Sequence, residues 1–303
     1  MNLHNTVSTK MDLIQKIFLD VETLSENIPD TDELISFLND LPPEFRSVAY
    51  ESASMIIARR DLNRGIELNN WKKMYYQSAN EHTFHIDIGL GWAYAKNETL
   101  PKPFPEILHP AMKRMVFDGI GYYNGLFKGR RTVKNQWVPE ELDTEELEGF
   151  DQGLGRRLWY NVKGDVREVT ALIQQFILSR HPALWSGVGI ACGYVGGNMQ
   201  TDLELLLVSS GKHRKQLQTG VMFAAISRIA SGTVTTDVEN ACMVICQKTI
   251  QEIKDLKTQV NDKLFYLYKD THQSSWFNLL ESELHQLKPN NDQIITNSKT
   301  LSS

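Results

Sequence analysis

The apolar positions of MDLIQKIFLDVETL, Leu13, Ile14, Ile17, Phe18, Val21 and Leu24, recur at helical spacing and predict a first helix. Pro29-Asp30 interrupts it. TDELISFLNDL then reads as a short helix with Asp30 or Thr31 at its cap and acids in its first turn. After Pro42-Pro43 a helix restarts, with Phe45, Val48, Ser52, Met55 and Ile56 as its expected inward face. LNNWKKMYYQSAN is aromatic and helical in pattern. HTFHIDIGLGWAYAK is ambiguous: Phe84, Ile86 and Ile88 alternate as in a strand, whereas GLGWAYAK fits a helix. Pro101, Pro103 and Pro105 mark a loop, and PEILHPAMKRMVFDGIGYYNGLF looks helical, loosened by Gly119, Gly121 and Gly125.

GRRTVKNQW is a polar excursion, and PEELDTEELEGFDQGLGRRLWY opens as an acidic helix start. Val166, Val169, Leu172, Ile173, Phe176 and Ile177 make NVKGDVREVTALIQQFILSR amphipathic. In HPALWSGVGIACGYVGG, Gly189 and Gly193 stand four apart, a spacing that lets another backbone approach. Further helical patterns run over roughly 201–231, 235–257 and 260–287, and PNNDQIITNSKTLSS is a polar tail. No repeat period, long linker or low-complexity block stands out. The expectation is an all-α protein: one large helical domain over 1–287 with a central apolar pocket, and a polar C-terminal tail over 288–303.

Composition narrows the function. The 303 residues are 41% hydrophobic and 23% charged, enough for a real core. A net charge of -5 argues against nucleic acid as a partner. Three cysteines, Cys192, Cys242 and Cys246, make no disulfide framework and point to the reducing cytoplasm. The N-terminus lacks a secretory pattern, and no stretch approaches the roughly 18 apolar residues of a membrane span.

The glycine pairs GIGYYNG and GLGWA are not the dinucleotide fingerprint, and no phosphate-binding loop with a terminal Lys-Ser/Thr occurs. Packing is the simpler role for these glycines. His82 and His85 stand three apart beside Glu81 and Asp87, a weak metal-ligand signal with no third ligand evident. His109 and His181 each precede proline and read as loop or cap residues. Cys242 and Cys246 share a helical face as small buried hydrophobes. Glu51, Asp118 and Asp151 are acids in apolar, glycine-rich surroundings, where an acid must be paired or must shift its pKa. Arg46, Arg156 and Arg157 are the natural partners. No cofactor motif and no nucleophile elbow is present.

FDQGLGRRLWY and HPALWSGVGIACGYVGG, with FRSVAYESASM, IGLGWAYAK and FDGIGYYNGLF, resemble an uncharacterised bacterial domain family encoded in enediyne polyketide and related natural-product gene clusters. The resemblance runs from about Pro43 to Cys246. Ser52 stands where that pattern usually has a glycine, and Tyr122-Tyr123 where an aromatic-His pair is common. The resemblance implies specialised metabolism in the cytoplasm, on a polyketide or polyene-like molecule.

The expected function is therefore an enzyme acting on a hydrophobic polyene, polyketide or terpenoid-like substrate by acid-assisted cyclisation or isomerisation. Asp118, Asp151, Glu51 and Arg156 are the candidate catalytic residues, and Trp92, Tyr122, Phe150, Trp159, Trp185 and Tyr194 the candidate lining. No cofactor is called for. The alternatives are a binding or accessory protein for a polyketide pathway, docking on a synthase or another pathway enzyme, and a metal enzyme using His82, His85 and nearby acids.

Overall fold

The computed structural model describes residues 6–65, 67–102, 112–267 and Ser282. Among these residues there is no strand, and twelve α-helices carry the fold. The first six are α1 (Val7–Asn27), α2 (Thr31–Asp40), α3 (Pro43–Asn63), α4 (Asn69–Lys96), α5 (Lys113–Phe127) and α6 (Thr144–Asn161). They are followed by α7 (Val166–Gln174), α8 (His181–Val195), α9 (Gln200–Ser209), α10 (Arg214–Ala230), α11 (Thr236–Ala241) and α12 (Ile250–Leu267). Pro103, Pro105 and His109 lie outside the described residues, as do the tail and most of the 260–287 pattern.

Local chemistry sets the helix starts. Asp30 caps α2 by accepting from the amides of Asp32 and Glu33. At α6, Asp143 accepts from the Glu146 amide and the Glu146 carboxylate accepts from the Asp143 amide, each at 2.9 Å. Gly196, at φ 70°, ends α8.

Several boundaries differ from the sequence expectation. The ambiguous segment is helical throughout, because α4 is buried on every side from His85 to Ala95 and has no polar face to reveal the helical period. For the same reason the expected inward face of α3 is too narrow, since Ser47–Ala58 is buried all round. Leu13 of α1 is 45% exposed, whereas Met11 and Ser25 are buried. The 201–231 pattern splits into α9 and α10 at the 3-10 turn Gly211–His213. The polar excursion contains a π-helical turn, Arg130–Lys134, and Cys242–Cys246 forms another, closed by Gln247 in the left-handed region. The amphipathic segment stops at Gln174, leaving Phe176 buried and Ile177 exposed.

The sequence does contain a repeat, which the structure makes visible. Gly89, Gly119, Gly153, Gly187 and Gly220 recur at intervals of 30 to 34 residues, one each on α4, α5, α6, α8 and α10. On the first four of these helices a second glycine follows two residues later: Gly91, Gly121, Gly155 and Gly189. In each helix the first glycine meets the preceding member of the series and the second meets the following one. A Cβ at Gly153 would stand 1.8 Å from the Asp118 carbonyl oxygen of α5, and one at Gly155 2.1 Å from that of Leu184 in α8. Gly91 and Gly119 meet Val116 and Ile88, and Gly189 and Gly220 meet Leu217 and Ser186, in the same antiparallel register.

Helix α3 continues the series with serines. The Ser54 hydroxyl donates to the Ile86 carbonyl at 2.6 Å, and the Ser52 hydroxyl to the Phe18 carbonyl of α1 at 2.7 Å. The result is an up-and-down array, α1-α3-α4-α5-α6-α8-α10, with backbones in contact at each glycine crossing. It curls round, bringing Phe223 of α10 against Phe84 of α4 with ring centroids 4.3 Å apart.

Candidate functional site

The curled array encloses a cavity of about 340 Å³, and all seven of its helices line it. Three residues after the first glycine of each repeat, the side chain points into this space. These residues are Trp92, Tyr122, Arg156, Ile190 and Phe223. One further turn along lie Leu126, Tyr160, Tyr194 and Ser227, also on the wall. Helix α1 supplies Ile14 and Phe18, and α3 supplies Val48 and Glu51. The glycines therefore do two things: they bring the backbones together, and they fix which side chains face the cavity.

The wall is largely aromatic. Trp92 packs on Phe18 at 4.7 Å and on Tyr122 at 5.4 Å between ring centroids. Tyr122 meets the edge of Tyr160 at 5.8 Å. Burial pushes the phenols of Tyr122, Tyr160 and Tyr194 up, so all three are neutral donors.

Glu51 is the buried acid on this wall. Burial raises its carboxyl to about 7, against the pull of Arg156. Arg156 Nη2 lies 3.9 Å from Glu51 Oε1, beyond hydrogen-bond reach. The same guanidinium donates from Nη1 to Asp118 Oδ1 at 2.8 Å. Asp118 is itself fully buried; burial raises its carboxyl, and Arg156 opposes that rise. The Gln152 amide donates to Asp118 Oδ2 at 2.9 Å, and the Ser186 hydroxyl donates to Gln152 Oε1 at 3.1 Å. A chain of polar contacts thus runs from α8 through α6 and α5 to Glu51 on α3. Arg156 is neutralised by Asp118, which leaves Glu51 without a full counter-charge.

His85 faces the same cavity. Burial holds its imidazole well below the usual histidine range, with His82, Arg156 and Arg228 adding to the effect, so it is neutral. Its ring lies 5.0 Å from Tyr194, and its buried Nδ1 has no hydrogen-bond partner among the described residues.

Five of the sequence candidates meet here: Glu51, Arg156, Trp92, Tyr122 and Tyr194. Asp118 stands one step behind the wall, bound to Arg156. Four others lie elsewhere. Asp151 is locked to Arg180, whose Nε lies 3.0 and 2.9 Å from its two oxygens and whose Nη2 also pairs with it. This buried pair ties α6 to the turn before α8, and Arg180 rather than Arg46 or Arg157 is the partner. Phe150 and Trp159 are fully buried core residues, and Trp185 is nearly so; none lines the cavity. An aromatic beside a glycine crossing faces whichever helix is closest, so adjacency to the motif did not determine its direction. Conversely Phe18, Phe84, Tyr160 and Phe223 line the wall without having been singled out. The signal that would have found two of them is the offset of three or seven residues from each repeat glycine.

The Asp151–Arg180 pair makes a prediction. Asp151→Ala leaves a buried guanidinium uncompensated and is expected to cost about 3–5 kcal/mol, read as a shift of the urea midpoint. A midpoint within error of wild type contradicts this role.

His82 and His85 have no third ligand beside them among the described residues. His82 Nδ1 lies 3.0 Å from the Ser47 hydroxyl, its ring stacks on Tyr50, and burial lowers it to about 4. Among the described residues no three His, Cys, Asp or Glu side chains come together as a metal would require. His181 is buried at the start of α8, with Nε2 2.8 Å from the Phe176 carbonyl. Cys192, Cys242 and Cys246 are buried and unpaired, and burial pushes the first two up to about 12.

Fold and site together define an all-α protein that encloses an aromatic cavity around one buried acid. Residues 2–280 match the family described as protein of unknown function, DUF1702, and the chain belongs to that family. No curated protein and no solved structure matches it. Among the described residues no helix is long and apolar enough to cross a membrane.

Proposed function

We propose that this protein is an enzyme of natural-product biosynthesis that isomerises or cyclises a hydrophobic polyene, polyketide or terpenoid-like molecule by proton transfer from Glu51. The observation that carries the reading is a buried carboxyl on the wall of an aromatic cavity, 3.9 Å from an arginine already paired with Asp118; burial raises it to about 7. The Glu51 proton adds to a carbon of a substrate double bond and leaves a cation on the neighbouring carbon. The carboxylate so formed lies 3.9 Å from Arg156, whose charge it shares with Asp118 and which offsets the new charge in part. The faces of Trp92, Phe84 and Phe223 stabilise the cation without reacting with it. Loss of a proton from an adjacent carbon back to Glu51 restores an alkene and regenerates the acid; where neutral His85 takes it instead, the imidazolium gives it up and Glu51 is reprotonated from solvent before the next turnover. Asp118 and Gln152 act by positioning Arg156.

The reading assigns no cofactor. It places the protein in the cytoplasm, where three unpaired buried cysteines are at home. The resemblance to an enediyne-cluster family supplies the substrate class.

The test is metabolite profiling in a host carrying the neighbouring biosynthetic genes, comparing wild type with Glu51→Gln. Loss of one product with accumulation of its precursor is expected, and it identifies the substrate. An unchanged profile, with a hydrophobic molecule co-purifying, removes the enzyme reading and leaves a binding or accessory protein for the pathway.

A further inference from the structure

The charges around the cavity do not cancel. Of the two arginines on its wall, Arg156 is balanced by Asp118 at 2.8 Å. Arg157 is not: it is half-buried, no carboxylate among the described residues pairs with it, its Nε has no hydrogen-bond partner, and its guanidinium is hydrogen-bonded to the uncharged Tyr122 phenol. Glu22, which also lines the cavity, is taken by Lys96 at 2.8 Å. Glu51 is protonated over much of the neutral range and supplies no full negative charge. A guanidinium with no carboxylate partner on a cavity wall presents a planar fork shaped for a carboxylate or a phosphate.

The position of Arg157 also gives a direction. Its stem packs against Gly125, two residues before Phe127. Phe127 lines the cavity yet is 63% exposed, as is Leu19 at 59%, so these two residues form the lip of the cavity. Glu51, by contrast, is buried. Tyr122 lies within reach of both guanidiniums, with Arg156 4.9 Å and Arg157 5.9 Å from its ring centroid. Arg228, a buried arginine likewise without a carboxylate partner among the described residues, is different. It is stacked on Tyr194 at 4.1 Å and donates to the Tyr194 carbonyl, so its charge stands behind that ring.

We propose that the ligand of this cavity is an amphiphile with one anionic group, a carboxylate or a phosphate, that docks on Arg157 near the lip while its apolar remainder fills the space in front of Glu51. The inference rests on the cavity assigned above and deepens that reading: the charged end of the substrate stays at the lip, and the chemistry falls on its hydrocarbon part.

Equilibrium binding tests it without turnover. The probe is parinaric acid, a conjugated tetraene carboxylic acid whose fluorescence rises in apolar sites, compared with its primary alcohol. Wild type is expected to bind the acid at least about tenfold more tightly than the alcohol. Arg157→Gln is expected to lose about ten- to a hundredfold of the affinity for the acid and little for the alcohol. Arg157→Lys keeps the charge without the fork and is expected to retain part of the preference. Competition by a long-chain alkyl phosphate against the matching alkanol then separates phosphate from carboxylate as the favoured group.

Equal affinity for acid and alcohol in wild type, or no binding of either, overturns the proposal. So does a preference that survives Arg157→Gln or is lost only in Arg228→Gln. Failure of the proton-transfer reading looks different: the acid preference stands while Glu51→Gln leaves the product profile unchanged.

Discussion

Gly153→Ala is expected to cost about 3 kcal/mol or more and to leave much of the protein insoluble, although only one methyl group is added. The added Cβ would stand 1.8 Å from the Asp118 carbonyl oxygen and 2.8 Å from the Tyr122 amide nitrogen. Both atoms belong to the α5 backbone, so no rotamer change relieves the clash and the helices must separate. Separation pulls Gln152 and Arg156 of α6 away from the Asp118 carboxylate and leaves that buried acid unpaired. Against a total stability of roughly 5–15 kcal/mol, this is a large fraction. Gly129→Ala is the control. A Cβ there meets nothing within 4 Å, and the residue is already in the right-handed region at φ -54°, so a change within about 0.5 kcal/mol is expected. Thermal unfolding of the two variants decides it, and equal melting temperatures would sink the glycine-crossing account.

The same crossings explain what the sequence disclosed and what it hid. Helical spacing and capping chemistry were legible wherever a helix has a wet face, as at α2 with Asp30 or at α7 with Val166, Val169 and Ile173. At α3 and the first half of α4 the helix itself was legible, but over Ser47–Ala58, where the inward face was drawn too narrow, and over His85–Ala95, which read equally as a strand, the chain is surrounded by protein and its apolar residues carry no period. Glu51 and Arg156 were recognisable as charges in apolar surroundings, and they do meet. Asp151 carried the same local signature, yet its partner is Arg180, supplied by a turn 29 residues on. Nothing near Asp151 in the chain distinguishes a cavity from a core, because that choice is made by the neighbouring helix. The glycine period lay in plain view in GLG, GIG, GLG and GVG, but intervals that vary from 30 to 34 residues blur it. Only the antiparallel contacts show that these motifs do the same job. FDQGLGRRLW is thus a packing node and the support of a site: its glycines seat α6 between α5 and α8, and that seating aims Arg156 and Arg157 at the cavity.

Glu51→Gln is expected to lower turnover by about a hundred- to ten-thousandfold, the usual worth of a positioned proton donor, while leaving the fold intact. The pH dependence separates this acid from a merely structural one. Its carboxyl lies near 4.5 in the unfolded chain and about 7 in the folded one. Between those values the folded state holds more protons, so stability falls as pH rises through that window. On the alkaline side the accumulated cost is about 3 kcal/mol, to order of magnitude. Glutamine has the same shape and never ionises. The variant is therefore expected to be more stable than wild type at about pH 8, and no more stable at about pH 5, where Glu51 is already largely protonated. Activity should follow the protonated fraction, holding below pH 7 and falling about tenfold per unit well above it. Denaturant titrations at the two pH values, with a rate profile on the substrate found by metabolite profiling, test both halves. A stability difference independent of pH would mean that Glu51 is ionised in the fold like any paired carboxylate, and proton donation would fail with it. A gain in stability at high pH joined to a loss of turnover at every pH would mean that the fold bears the strain of a buried acid, and that the reaction is what uses it.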